Sequence, residues 1–130
     1  MPIAAAEIIS DDDTLLRRVH PSQVVDDKNL GRMRPSSGAF TDPELSTDSD
    51  ALLTKHGLDS SFCLRGYAGY SLARIEVNFA RANGMTVTNT PKEGNPAHTD
   101  VIGRKTEALQ RNFAKHAVWV HLQSKTAGSP

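Results

Sequence analysis

Turn-forming residues punctuate this chain at short intervals, which restricts it to short strands and helices. Pro21, Gly31, Pro35, Pro43, Gly57 and Gly84 break it, as does the Pro-, Gly- and Asn-containing stretch at 89–96. Residues 15–25 are strand-like around Pro21, 28–31 form a turn, and 32–40 are extended because Pro35 disfavours helix before it. Residues 46–56 predict a helix with Ser46 or Thr47 as its cap, Leu52 and Leu53 inward and Gly57 as its stop. The helical period is clearest over 71–83, where Leu72, Ile75, Phe79 and Ala82 recur at three- and four-residue steps and Gly84 follows. Residues 85–88 alternate as a strand does, and 99–102 are a second strand, so 85–102 predict a hairpin with a long tip. Thr106 opens another helix to 117, with Leu109, Phe113 and Ala117 on one side. Residues 118–122 fit either a final strand or the last turns of that helix.

This order predicts a small single-domain α+β fold, a mixed sheet covered by two or three helices. At 130 residues the chain has room for one core. Residues 1–13 read as a flexible arm, 14–123 as the domain and 124–130 as a polar, flexible tail. No apolar run approaches the roughly 20 residues that span a bilayer. The start carries Glu7, Asp11, Asp12 and Asp13 without a basic segment, unlike a secretory or transit peptide. The single cysteine, Cys63, excludes an internal disulfide, suits a reducing cytoplasm and reads as a small buried hydrophobe.

Formal net charge is zero, but the signs fall in blocks. Acids dominate 1–13 and 42–59; bases dominate 15–34 and the stretch from 103 onward. That argues against bulk nucleic-acid binding, which needs a domain-wide basic excess, and permits a local basic pocket or a charge-matched partner surface. Three polar blocks gather cations or imidazole beside a turn former. They are Arg17-Arg18-Val19-His20-Pro21, Arg34-Pro35-Ser36-Ser37, and Asn95-Pro96-Ala97-His98 leading into Gly103-Arg104-Lys105-Thr106.

Gly103-Arg104-Lys105-Thr106 fails as a phosphate loop: His98 stands where the first Gly belongs, and Arg104 separates Gly103 from Lys105. A helix opening at Thr106 beside Arg104 and Lys105 still suits a phosphate or carboxylate; the plain alternative is a cap with two solvated cations. His20 and His98 are the candidate acid–base groups, because imidazole titrates near neutrality. Arg18, Arg34, Ser36, Arg104, Lys105 and Thr106 are the candidate ligand contacts. Tyr67 and Tyr70, set among Gly66 and Gly69, are placed to line a cleft. His116 and His121 are too far apart in sequence for one helical face, so no metal site and no cofactor are implied. Asp42, Asp48, Asp50 and Asp59 lack the glycine and glutamate of a calcium loop and read as loop solvation and caps.

These blocks, at 17–25, 34–40, 95–98 and 103–106, resemble a group of short bacterial proteins to which no activity is attached. The resemblance covers most of 15–120 and brings no chemistry with it. The first strand is also similar to that of ADP-ribosyltransferase-type folds, where an Arg or His near the chain start meets a nicotinamide cofactor. That resemblance implies Arg18 or His20 in this place and Ser46-Thr47 as a second element; the later glutamate of such folds has no counterpart here.

The expected function is binding of a small anionic, nucleotide-like or RNA-end ligand in a basic, histidine-bearing pocket. Any acid–base step falls to His20 or His98. The second reading is a non-catalytic interaction or accessory protein of a bacterial multi-gene system, its charge blocks docking a protein partner.

Overall fold

The computed structural model describes residues 3–123. Eight strands occur in it: β1 (Thr14–Val19), β2 (Val24–Asp27), β3 (Arg32–Pro35), β4 (Glu44–Ser49), β5 (Ser71–Glu76), β6 (Thr86–Asn89), β7 (His98–Ile102) and β8 (Val118–His121). Three α-helices join them: α1 (Asp50–Lys55), α2 (Val77–Ala82) and α3 (Glu107–His116). Six strands form one sheet in the order β6-β7-β4-β1-β5-β8, and β2 and β3 form a separate hairpin. The domain is α+β, and every strand pairing is antiparallel. No helix among the described residues is long and apolar enough to cross a membrane.

The pleat sends alternate residues of the sheet to opposite sides. Cross-strand partners place Leu15, Ser49 and Ile75 on one side, with Thr47 and Thr99, and Leu45, Val101 and Val87. This side is largely apolar and fully buried at Leu15, Leu45, Ile75 and Val101. Helix α3 packs through the 3₁₀ turn Ser37–Phe40, where Phe40 stacks on Phe113 at 5.7 Å between ring centroids. Phe79 meets Phe113 edge-on at 5.2 Å. Each such ring, once buried, contributes about 1.5–3 kcal/mol. On the opposite side the same register aligns Leu16 with Asp48 and Arg74, Asp48 with His98, and Ser46 with Asp100. Its polar floor lies over three interior strands.

Two expected helices prove to be strand–helix pairs. The stretch 71–83 is β5 followed without a loop by α2, and 46–56 is the end of β4 followed by α1. The reason is visible in 73–78: Ala73, Ile75 and Val77 are buried, while Arg74, Glu76 and Asn78 are exposed. That is a period of two, and pairing of β5 with both β1 and β8 selects it over the helical period. The α1 cap is Ser49, whose hydroxyl accepts from the Leu52 N–H at 3.1 Å, rather than Ser46 or Thr47. Helix α3 starts as expected, with the Thr106 hydroxyl accepting from the Leu109 N–H. Ala117 then turns extended, so 118–121 continue as β8, the sheet's outer edge.

Residues 3–13, within the stretch read as an arm, make contacts with the rest of the domain. From residue 3 to 13 the chain is tied down, with Ile9 in the core. The Glu7 N–H donates to Asn89 Oδ1 at 2.8 Å, and Arg81 pairs with Asp11 at 2.6 Å. Asp13 is buried and accepts from Ser49 Oγ at 2.5 Å, the Ala51 N–H at 3.0 Å and the Thr14 N–H at 2.7 Å. It thereby joins β1 to the start of α1. The expected tail at 124–130 lies outside the described residues.

Candidate functional site

The polar side of the sheet is roofed by the 3₁₀ turn Ser60–Leu64, the glycine-bearing segment 65–70 and the tip of the β6–β7 hairpin. Between roof and floor lies a cleft of about 350 Å³, lined by strand residues Arg18, Ser46, Asp48 and His98. The roof contributes Cys63, Arg65 and Tyr67, and the hairpin tip contributes Lys92, Glu93 and Asn95. Three cations thus face two carboxylates. A polar site on interior strands is held rigidly by the ladders on either side.

Arg18 is fixed from three directions. Its Nη1 donates to the Cys63 carbonyl at 3.2 Å and lies 3.7 Å from Asp48 Oδ2, and its guanidinium sits 4.1 Å over the Tyr67 ring. Asp48 is 2 % exposed and accepts from Asn95 Nδ2 at 2.8 Å. The Cys63 thiol hydrogen-bonds to the same carboxylate; burial first, then the Asp48 charge, push its pKa well above the ordinary 9.0. Cys63 is therefore a protonated thiol rather than a nucleophile.

His98 is 6 % exposed, and its tautomer follows from its partners. Nδ1 lies 3.1 Å from the Thr90 carbonyl, which can only accept, and 2.9 Å from the Thr90 hydroxyl. That hydroxyl donates to Asp100 Oδ2 at 3.1 Å. In the neutral ring the proton is therefore on Nδ1, and Nε2 keeps its lone pair, 4.0 Å from Asp100 Oδ1. His20 has the opposite tautomer. The Ser22 N–H donates to its Nδ1 at 3.0 Å, so the neutral ring carries its proton on Nε2. His20 lines a neighbouring cleft of about 440 Å³ with Arg17, Arg18, Ser22, Gln23 and Tyr70. Arg18 borders both clefts.

The fold thus brings Arg18, His20 and His98 to one region and disperses the other candidates. Arg34 pairs with Asp27 at 2.6 Å across the β2–β3 hairpin, and its Nη1 donates to the Pro35 carbonyl. Ser36 leads into the 3₁₀ turn 37–40, its N–H bound to the Gln23 carbonyl. Arg104 is exposed beyond the hairpin. Lys105 is buried, and its ammonium donates to the carbonyls of Asp42 at 2.8 Å, Gly103 at 3.0 Å and Val101 at 3.2 Å. Thr106 caps α3. None of these five lines either cleft.

Sequence reasoning did not name Asp48, Asn95, Thr90, Arg65 or Lys92 as site residues. Asp48, read as loop solvation, is a buried strand residue, because its register partner His98 lies fifty positions away. Asp59 and Asp42 do act as turn caps, accepting from the Ser61 and Glu44 N–H groups. Among the described residues no group of three His, Cys, Asp or Glu side chains is arranged to hold a metal ion. No family model, curated protein or solved structure matches the chain.

Proposed function

We propose that the polar cleft binds a small anionic ligand and that His98 serves as its general base. The observation that supports this most directly is the commitment of His98 Nδ1–H to Thr90 in a cleft bordered by Arg18, Arg65 and Lys92. An imidazole with Nε2 unprotonated takes a proton; a guanidinium held by Asp48 and stacked on Tyr67 neutralises the charge of a phosphate or carboxylate. His20, with its proton on Nε2, donates to the same ligand from the neighbouring cleft.

Thermal unfolding with inorganic phosphate and with nucleoside monophosphates tests the reading. A ligand at 100 times its Kd stabilises by about 2.7 kcal/mol, which raises Tm by about 10 °C at this chain length. Arg18→Met removes the shift, and His98→Gln keeps it, since binding charge is retained. A second reading, a non-catalytic accessory protein, is favoured by the edge strand β8, where Val118 is 52 % and Val120 38 % exposed. On that reading no anion moves the Tm of either protein.

A further inference from the structure

The two clefts that meet at Arg18 are joined by a continuous strip of rings. The Arg18 guanidinium lies over Tyr67, Tyr67 meets Tyr70 edge-on at 5.2 Å, and Tyr70 meets His20 at 5.2 Å and 85°. The strip begins in the cationic cleft with Tyr67 and ends in the neighbouring one with Tyr70 and His20. Its rings are set by consecutive tight turns. The Tyr67 N–H donates to the Leu64 carbonyl and the Tyr70 N–H to the Tyr67 carbonyl. Gly66 and Gly69 take the positive φ angles of 77° and 84° that these turns require. An exposed Tyr67 and a half-buried Tyr70 fixed in this way make a pre-formed surface rather than a chance cluster.

The neighbouring cleft differs in chemistry from the first. Among the described residues its lining has no carboxylate, and beside the Tyr70 ring it offers the Oε1 of Gln23, whose Nε2 donates to the Gly38 carbonyl, the oxygen of Ser22, whose hydroxyl is bound to His20 Nδ1, and the Nε2–H of His20. A flat heterocycle with hydrogen-bonding edges suits such a lining; a second anion alone would leave the rings unused.

From this juxtaposition we infer that the ligand class is a nucleoside phosphate. Its phosphate is held at Arg18 with Arg65 and Lys92, and its base rests against Tyr70 and His20 in the neighbouring cleft. The inference rests on the anion reading above and adds the base subsite to it. The same chemistry arises in a free nucleotide and at the 5′ end of an RNA strand.

Isothermal titration with inorganic phosphate, ribose 5-phosphate, AMP and a 5′-phosphorylated RNA hexamer tests it, using wild type, Tyr70→Ala and Tyr70→Phe. AMP is expected to bind wild type roughly 5- to 150-fold more tightly than ribose 5-phosphate, the range that stacking of one base on an aromatic ring supplies. Tyr70→Ala abolishes that ratio while leaving ribose 5-phosphate affinity unchanged; Tyr70→Phe, which keeps the ring, preserves it. Tighter binding of the hexamer than of AMP assigns a strand end as the source, and the reverse assigns the free nucleotide. Equal affinities for AMP and ribose 5-phosphate in wild type overturn the base subsite and leave the anion site standing. Failure of all four probes to bind overturns the anion site itself. The wild-type comparison decides the matter even if Tyr70→Ala proves unstable.

Discussion

Lys105→Met separates a structural cation from a ligand-binding one. The Lys105 ammonium donates to three backbone carbonyls, tying the turn before β4 (Asp42) to the end of β7 (Val101) and the approach to α3 (Gly103). Hydrogen bonds to a charged group contribute about 1.5–3 kcal/mol each, so the three together are worth roughly 5–9 kcal/mol before the penalty for burying the charge. That penalty is real here: burial lowers the Lys105 pKa below the ordinary 10.5, with Asp42 opposing and Arg17 adding to the shift. Methionine keeps most of the apolar stem, removes the charge and leaves three carbonyls short of a donor. The expected net loss is about 2–4 kcal/mol. Urea unfolding followed by Trp119 fluorescence reads it as a drop of about 2 M in midpoint, for an m-value near 1.5 kcal/mol/M. Arg104→Met, one residue away and exposed, is expected to stay within about 0.5 kcal/mol of wild type. A Lys105→Met protein with the wild-type midpoint would refute the reasoning. So would one that loses phosphate affinity at unchanged stability, because Lys105 would then belong to the ligand site.

Two other outcomes follow from buried polar groups. Asp13→Ala removes the acceptor for Ser49 Oγ and for the Ala51 and Thr14 N–H groups, so it is expected to cost about 2–4 kcal/mol and to speed amide exchange at the start of α1; urea unfolding and hydrogen exchange measure both. For Cys63, the folded chain holds a thiol proton that the unfolded chain releases near 9.0. The native state binds more protons there, so stability falls as pH rises above about 9. Urea midpoints taken between about pH 8 and 10.5 show this alkaline limb in wild type, and Cys63→Ala flattens it.

Local chemistry was legible in this sequence wherever one element decided the outcome. Thr106 capping α3, the 85–102 hairpin and the turns at Gly57 and Gly84 all depend on neighbours a few residues away. The strand–helix junctions at Ser49 and Glu76 were not, because the helical spacing of Leu72, Ile75 and Phe79 overlays the alternation of Ala73, Ile75 and Val77. Only pairing with β1 and β8 chooses between them. The site divides in the same way. His98 and Arg18 stand out by residue type, but Asp48 reaches His98 through a ladder between distant strands. Lys105 shows the converse: beside Arg104 and a helix cap it reads as an anion contact, yet the fold turns its ammonium inward onto carbonyls.

Arg18, Asp48 and His98 sit on β1, β4 and β7, three of the four strands flanked on both sides by others. Separating these groups means tearing the middle of the sheet, so they come apart only when the whole molecule unravels. The canopy above them is built instead from turn and loop: the tyrosine-bearing turns at 65–70 and the hairpin tip at 90–97. A ligand bound as proposed would enter and leave past these two short surface segments, over a floor held by strand pairing on either side.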